Sequence, residues 1–510
     1  TELGTVVDGV ELTTGRMLAY PVNPDREGLL SGADIPAGRD MMAENIAENL
    51  AEAMLKRVAK TGEKTAKAPD EIVEAIDAVY NAMMGPHMEK CKRLTLEYYD
   101  EHTLASLLPE KYGTVETIRR AIREARNSQT VQPIGVMIKT QELQKRSDKH
   151  RLLERASELF GAKGSQAAET PDNGMKPRMI MVGGFPRLVA EAPHVIAMEN
   201  VMLGATNFRY ASIKYTSRHQ WAQRVSRALN EGLRVIRCTR AGPKESTRVC
   251  GECASCKAAL AKPTFAKAVC AVENDGSSWD VNFTALKVPE RKMRAALLRH
   301  QTTVDPSPMT RARIKEIEDD TMKMVLEEKD AAGNSASYVL TFPFNCRDSG
   351  DRHTSGGNWM GNLVLHLIAL SPDKTALEEN IRTMKTWTTI RRGPVPAASA
   401  PDAWGTDDNW SYLSQGFAYP LITKWVTVAG KRTSEITWTQ FMFEGDDALA
   451  LLGHQADRVS FTKRARGTQM DCTLNIVDLR PGSTDPQKVE FCGTLFVKIP
   501  SGKWCWTPDS

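Results

Sequence analysis

Apolar residues recur at near-helical spacing early in the chain. Met41, Ile46, Leu50, Met54 and Val58 predict a helix from Met41 to Lys60, and Glu71–Met83 and Val115–Asn127 read as further helices. Residues 1–40, rich in Gly, Pro and Asp, read as an irregular arm. After Gln132 the texture becomes mixed. Short apolar strands such as Gly135–Ile138 and Pro177–Val182 alternate with helices at Ala222–Arg234 and Pro289–Gln301. Lys323–Glu328 and Ser337–Phe342 flank Gly333–Asn334 and predict a hairpin. The Pro/Ala/Gly stretch at Gly393–Gly405 reads as a loop. The pattern is that of an α+β chain with a mostly helical N-terminal segment.

Composition adds limits. The 510 residues suffice for about three or four domains or subdomains. Hydrophobic residues make up 41% and charged residues 25%, which is ordinary for a globular protein. Lys and Arg total 67 against 63 Asp and Glu, a net +4 that excludes a polycation or an acidic tail but leaves room for a local basic channel. No window approaches 18 continuous apolar residues, so no transmembrane helix is expected. The start of the chain lacks a basic stretch followed by an apolar one, so no signal peptide is expected, and Thr1 in place of Met fits a processed or trimmed product. Ten cysteines spread over this length suggest free thiols in a reducing compartment.

Three stretches carry candidate chemistry. In Val272–Val281, Asp275 stands at a strand end and Asp280 five residues on, near enough to share a pocket. In Phe441–Ala450, apolar strand segments flank Gly445-Asp446-Asp447, and glycine permits a tight turn with adjacent acids at its tip. Carboxylates so placed repel each other, and a hard dication relieves the repulsion. Between them, Ser349-Gly350-Asp351-Arg352-His353-Thr354-Ser355-Gly356-Gly357-Asn358 follows the strand-like Tyr338–Phe344 and precedes the helix-like Asn362–Leu370. Its Ser, Thr and Asn can hydrogen-bond a ribose or a carboxylate, and its glycines would let a nucleic-acid backbone approach closely. Each stretch alone is common; their order is not.

In that order the stretches resemble motifs A, B and C of the RNA-dependent RNA polymerases of positive-strand RNA viruses, most closely the tombusvirus, nodavirus and pestivirus type. Val489-Glu490-Phe491-Cys492-Gly493 resembles motif E. Lys176-Pro177-Arg178-Met179-Ile180, after Ile138-Lys139-Thr140-Gln141-Glu142, resembles the basic motif F. The resemblance covers residues from about 135 to 495. It implies a right-hand polymerase with fingers at 131–270, a palm at 271–495, an N-terminal arm and helical segment at 1–130, and a C-terminal tail or remnant thumb at 496–510. Asp275, Asp446 and Asp447 would bind Mg²⁺ or Mn²⁺, two ions about 3.5–4 Å apart, with the Gly276 carbonyl as a further candidate ligand. Asp280 and Asn358 would read the ribose 2′-hydroxyl, supported by Ser349, Gly350 and Thr354. Lys176 and Arg178, with Lys139 and Arg187, would face the triphosphate. The expected partners are template and product RNA, ribonucleoside triphosphates and other viral replication proteins, in a host-cytoplasmic, membrane-associated replication complex or a virion.

Four features depart from the family. The interval from Ser349 to Asp446 is long, and Pro372–Lys431, with Trp387, Trp404, Trp410 and Trp425, reads as an insertion (about 372–431): a locally packed Trp cluster or a base-stacking platform. Little chain follows motif E, so the thumb is small or absent, or residues 1–130 fold back to supply one. The strand near Cys472–Leu479 has no lysine for protonating pyrophosphate; Lys463, Arg480 and Lys488 are its neighbours. Cys250, Cys253 and Cys256, with Cys238 or Cys270, could hold structural Zn²⁺ or stay free thiols, and the same spacing can hold an iron–sulfur cluster. The helix bearing Arg218, Arg224 and Arg227 could contact RNA phosphates or simply face solvent. A reverse transcriptase shares the palm, but Gly445, Asp280 and Asn358 argue against it. A non-catalytic RNA-binding or assembly protein on the same fold is the other alternative, opposed by the intact Asp275, Asp446 and Asp447.

Overall fold

The computed structural model describes residues 68–108, 112–127, 134–138, 179–205, 211–214, 216–235, 264–276, 279–319, 321–329, 335–343, 347, 352–386, 418–470 and 472–508, with short pieces at 6–7, 10–11, 19–21, 41–43, 143–144 and 254. Met41–Ala43 is extended, paired with Ala19–Pro21 on one side and Leu143–Gln144 on the other. The helix expected from Met41 therefore does not start there: backbone pairing on both sides outweighs the local periodicity. The rest of that span lies outside the described residues.

The helical expectations hold from Asp70 onward. Helices α1 (Asp70–Met84), α2 (Met88–Tyr99), α3 (Glu101–Leu107) and α4 (Val115–Asn127) follow one another. Asp100 caps α3 by accepting the Thr103 N–H at 2.9 Å. Strands β1 (Ile134–Ile138) and β2 (Met179–Val182) precede α5 (Phe185–Ala205) and α6 (Arg218–Asn230). The helix expected at 222–234 is displaced to an earlier start, because Ser217 and Gln220 form a reciprocal capping box. It ends before Gly232, whose φ of +103° turns the chain into β3 (Leu233–Val235), paired with β4 (Thr264–Ala266).

The remaining elements build the centre. They are β5 (Cys270–Gly276), α7 (Trp279–Asn282), α8 (Thr284–Gln301), α9 (Pro308–Asp319), β6 (Thr321–Lys329) and β7 (Ser335–Pro343). Then come α10 (Thr354–Leu370), α11 (Lys374–Thr386), β8 (Tyr419–Val428), β9 (Lys431–Glu444), β10 (Asp447–Leu452), α12 (Arg458–Gly467) and β11 (Cys472–Asp478). Last are β12 (Lys488–Phe491), β13 (Thr494–Lys498) and β14 (Trp504–Pro508). The expected hairpin is β6–β7, in a sheet ordered β7-β6-β1-β2.

An antiparallel sheet ordered β8-β9-β10-β5-β11 carries the acids. One face, with Cys270, Val272, Ala448 and Ala450, packs on α1, α8 and α10. The other, with Ala271, Leu449, Leu451 and Val477, packs on α6 and the sheet β12-β13-β14. The N-terminal helices thus share the central core. The expected insertion supplies α11 and the edge strand β8, while Trp387, Trp404 and Trp410 lie outside the described residues. In β8, the Trp425 ring lies under the Arg432 guanidinium at 4.4 Å. Residues 496–508 form no loose tail. They complete a sheet in which the Trp504 N–H bonds Asn230 Oδ1 on α6 at 2.8 Å. Among the described residues no helix is long and apolar enough to cross a membrane.

A buried ion pair ties α8 to the segment before α10. Arg347 donates to Glu290 through both guanidinium nitrogens, and the two residues are 2% and 1% exposed. Arg347 also stacks over Phe283 at 4.1 Å. Gly357 makes this approach possible, because a Cβ there would lie 2.6 Å from Arg347 Nη2 and 2.7 Å from Glu290 Oε2. Burial alone would raise the Glu290 carboxyl; the nearby Arg347, His353 and Arg294 outweigh it and bring the pKa to about 2. A depressed folded value means the stabilisation is present above the ordinary pKa near 4.5 and is lost as pH falls toward 2. Glu290→Gln, which removes the carboxylate charge paired with Arg347, is expected to cost about 3–5 kcal/mol at neutral pH in urea unfolding. The variant should also lose less further stability than the wild type between pH 4.5 and 2.

Candidate active site

Antiparallel register brings the candidate acids together. Asp275 near the end of β5 is the direct partner of Asp447, the first residue of β10. Directly opposed residues share a face, with Cβ atoms about 4.5–5.5 Å apart. Asp446 occupies the second position of the two-residue turn Gly445–Asp446, closed by the pair Glu444 and Asp447. Gly445 has φ +57°, and Asp446 is not among the positive-φ residues, as a type II′ turn requires. Partial burial, the charges of Asp446 and Asp275, and Glu490 raise the Asp447 carboxyl; the thiol of Cys492 hydrogen-bonds to it and opposes the rise. Asp447 keeps an open side to solvent, so these effects are softened there.

Helix α10 braces this turn. It is buried on every side from Gly356 to Leu370. Thr354, Asn358, Asn362 and His366 recur every four residues and so lie along one side. Asn362 donates to the Gly445 carbonyl at 2.8 Å, and the His366 ring stands 4.9 Å from that of Phe443. Burial lowers the His366 pKa to about 4, so it is neutral at physiological pH. Asn358 is 7% exposed and its Oδ1 has no hydrogen-bond partner. Ser355 donates to Glu444 Oε1 at 3.0 Å. Gly356 and Gly357 are buried against Glu199 and against the Arg347–Glu290 pair. Their lack of side chains therefore serves protein packing, and the expected close approach of a nucleic-acid backbone does not apply to them.

The turn after Asp275 is seated on the same helix. A Cβ on Gly276 would lie 2.1 Å from the Trp279 ring, and one on Gly361 2.2 Å from the Phe283 ring. Asp280 lies on α7 between these two aromatic anchors. Behind the hairpin, Ser212 bridges to Phe443, and Lys214 pairs with Glu199 at 2.7 Å. Burial would raise Glu199, but Lys214 and Arg352 hold it below its ordinary value.

Other expected residues fall elsewhere. Arg187 is 5% exposed and pairs with Glu191 at 3.3 Å and Glu316 at 3.1 Å, so its charge is spent inside the fold and not on a triphosphate. Arg224 is fully buried and donates to the Ser212 carbonyl at 3.2 Å, whereas Arg218 and Arg227 are exposed. Lys139, Lys176, Arg178, Ser349, Gly350, Cys238, Cys250, Cys253 and Cys256 lie outside the described residues. The strands flanking the Lys139–Arg178 segment meet at the pair Ile138 and Met179. Cys270, the other candidate fourth zinc ligand, is fully buried within β5; burial pushes its thiol up to about 11, which disfavours the thiolate zinc needs. Arg480 is paired with Asp478 at 2.6 Å.

Several site residues had weak sequence signals or none. Asn362 continues the four-residue stripe begun by Thr354 and Asn358, so spacing could have found it. Ser355 lay inside the motif without a role. Glu199 and Lys214 carry no local signal. Cys492 and Gly493 have φ +47° and +62° and form the turn between Phe491 and Thr494, a type I′ connection. Burial and the Asp447 charge push the Cys492 thiol well above its ordinary value, so it remains a donor.

Among the described residues no group of three or more His, Cys, Asp and Glu side chains forms a ready-made metal cage. The three aspartates are hard oxygen donors, the ligand type that Mg²⁺ or Mn²⁺ prefers. No family model matches the chain, and comparison with curated proteins gives no significant match. If α10 sets the turn, Asn362→Ala should cost about 1–3 kcal/mol by leaving the Gly445 carbonyl unpaired. Gly445→Ala should cost about 1 kcal/mol or more through backbone strain alone, since its Cβ would meet open space. Chemical denaturation measures both.

Proposed function

We propose that the chain is a template-directed RNA polymerase of the viral right-hand type, joining ribonucleotides into RNA that copies an RNA template. The register pairing of Asp275 with Asp447 at a Gly-Asp-Asp turn carries this reading, with Asn358 along the helix that braces that turn. The reaction forms a bond from a 3′-oxygen to an α-phosphorus and breaks the bond to pyrophosphate. Such a transfer asks for positioning and electrostatics more than covalent chemistry. A divalent cation held by Asp275, Asp446 and Asp447 supplies charge neutralisation and Lewis-acid polarisation of the phosphate oxygens.

The chain's own groups do the rest. Asn358 offers a buried, unpartnered amide oxygen to a ribose hydroxyl, with Asp280 and Thr354 completing the selection. A deoxy substrate would leave that oxygen unpaired, which makes discrimination strong. Lys176, Arg178 and Lys139 neutralise the triphosphate, and Ser349 and Gly350 shape the approach to Asn358. The exposed Arg218 and Arg227 contact RNA phosphates, so RNA binding weakens with salt. The protein works with other replication proteins in a host-cytoplasmic complex.

Incorporation of labelled ribonucleotides on a short single-stranded RNA with Mg²⁺ tests this reading. Template-complementary product is expected from the wild type, none from Asp446→Asn, and little from deoxynucleotides. The absence of both product and salt-dependent RNA binding would refute the reading. Independently, Mg²⁺ or Mn²⁺ should raise the thermal midpoint of the wild type and leave that of Asp446→Asn unmoved, because the ion stabilises only the state that binds it.

A further inference from the structure

The β8–β9 hairpin runs past the sheet that carries the acids. Strand β10 ends at Leu452, opposite Thr439, so from Thr437 back to Lys431 the sheet narrows to the pair β8–β9. At its base, Asn380 of α11 brackets Ile422, accepting its N–H at 2.7 Å and donating to its carbonyl at 3.3 Å. Beyond a bulge after Ile422 the ribbon stands in solvent: Lys424, Thr427–Thr433, Glu435 and Ile436 are exposed. A two-stranded ribbon alone is marginally stable. This one nevertheless turns apolar side chains outward, with Val428 59% exposed and Ile436 41%.

The tip gives a second, independent observation. Ala429 and Gly430 have φ +50° and +76°, a two-residue type I′ turn closed by Val428 and Lys431. Asn-Gly or Asp-Gly suits such a turn, whereas Ala strains it. Strain of this kind points to a role for the side chain. Here the strained position extends an apolar apex formed by Val428 and Ala429. Basic residues surround it: Lys424, Lys431 and Arg432 stand against one acid of the ribbon, Glu435. Glu435 lies directly opposite Lys424, and Asp373 meets Arg432 at 3.3 Å in solvent, where such a pair is weak. Lys431 and Arg432 therefore keep the apex positive.

We infer that the tip of the β8–β9 hairpin docks on an anionic membrane surface. Val428 and Ala429 enter the boundary between headgroups and acyl chains, while Lys424, Lys431 and Arg432 meet the lipid anions. An apolar apex with a basic collar fits that boundary. RNA would satisfy the cations but gain nothing from the apex. The Arg432 guanidinium also covers the Trp425 ring at 4.4 Å, which takes that face away from base stacking. Position agrees: β9 has 14 residues, and at about 3.3 Å each they set the apex on the order of 40 Å of strand from the acid turn. Docking there leaves the acid edge free. It is reversible, because each cation near such a surface is worth only about fivefold in partition. The inference stands apart from the polymerase reading.

The test is co-sedimentation of the full chain with vesicles of phosphatidylcholine alone, or of phosphatidylcholine mixed with phosphatidylserine. The wild type is expected on the mixed vesicles only, and to leave them as salt rises. Lys431→Glu together with Arg432→Glu should weaken binding about twentyfold or more. Val428→Ser should weaken it about threefold or more. Arg218→Glu together with Arg227→Glu makes the same change in net charge on α6 and should leave vesicle binding within about twofold. Ala429→Asn suits the left-handed backbone and is polar. It should unfold at or above the wild-type midpoint and still bind vesicles more weakly, which separates docking from stability. No binding, equal binding to both vesicle types, or an equal loss from the α6 pair overturns the inference. So does a loss of RNA affinity in the ribbon pair with vesicle binding unchanged, which would make the ribbon an RNA surface. The ribbon variants should leave nucleotide incorporation in solution unchanged, so this outcome and that of the proposed function are read separately.

Discussion

Repulsion between carboxylates at the edge of the five-stranded sheet is the constraint that the surrounding structure answers. Strand register sets Asp275 opposite Asp447, and the two-residue turn adds Asp446. Left free, such acids would swing apart into water. The fold denies them that. Strand β5 is paired on both sides, to β10 and to β11, so Asp275 cannot move without breaking two ladders. Asn362 and Ser355 hold the turn from one helix. Held in place, such repulsion is what a hard dication would relieve under the proposed function.

The brace must itself be rigid, and its rigidity comes from glycines and buried charge. Helix α10 approaches its neighbours closely because Gly356, Gly357 and Gly361 have no side chains to keep Glu199, Arg347 and Phe283 away. The Glu290–Arg347 pair is fully desolvated, so its geometry is demanding: removing either partner takes away the charge that directly compensates the other. The segment leading into α10 is thereby fixed to α8, which follows the turn after Asp275 through the short helix α7. One set of contacts aligns both the strand with the first acid and the helix beside the other two.

Much of this was legible in the sequence, and the misses have physical causes. Gly445-Asp446-Asp447 between apolar segments announced a tight acidic turn, because only a few residues accept its backbone. The helices Asp70–Met84 and Val115–Asn127 followed from periodicity. The helix at Met41 did not, since backbone pairing there outweighs the spacing of apolar side chains. Arg187 was expected to face the triphosphate, and Arg224 RNA phosphates or solvent, because sequence shows charge but not burial; Glu191, Glu316 and the Ser212 carbonyl meet them only through the fold. Gly356 and Gly357 looked like space for a ligand and proved to be space for the protein's own carboxylates and guanidinium. Lys214 and Cys492 are the clearest cases of long-range placement, brought to the Gly-Asp-Asp turn by a bridge to Phe443 and by a separate sheet.

The central claim is that register pairing makes one dication site from acids far apart in sequence. Anomalous diffraction from crystals of the full chain soaked in Mn²⁺ tests it most directly. The account predicts an anomalous peak in contact with carboxylates of both Asp275 and the Asp446–Asp447 turn. Density for those side chains with no Mn²⁺ between them at saturating concentration, or Mn²⁺ held only at other residues, would contradict it.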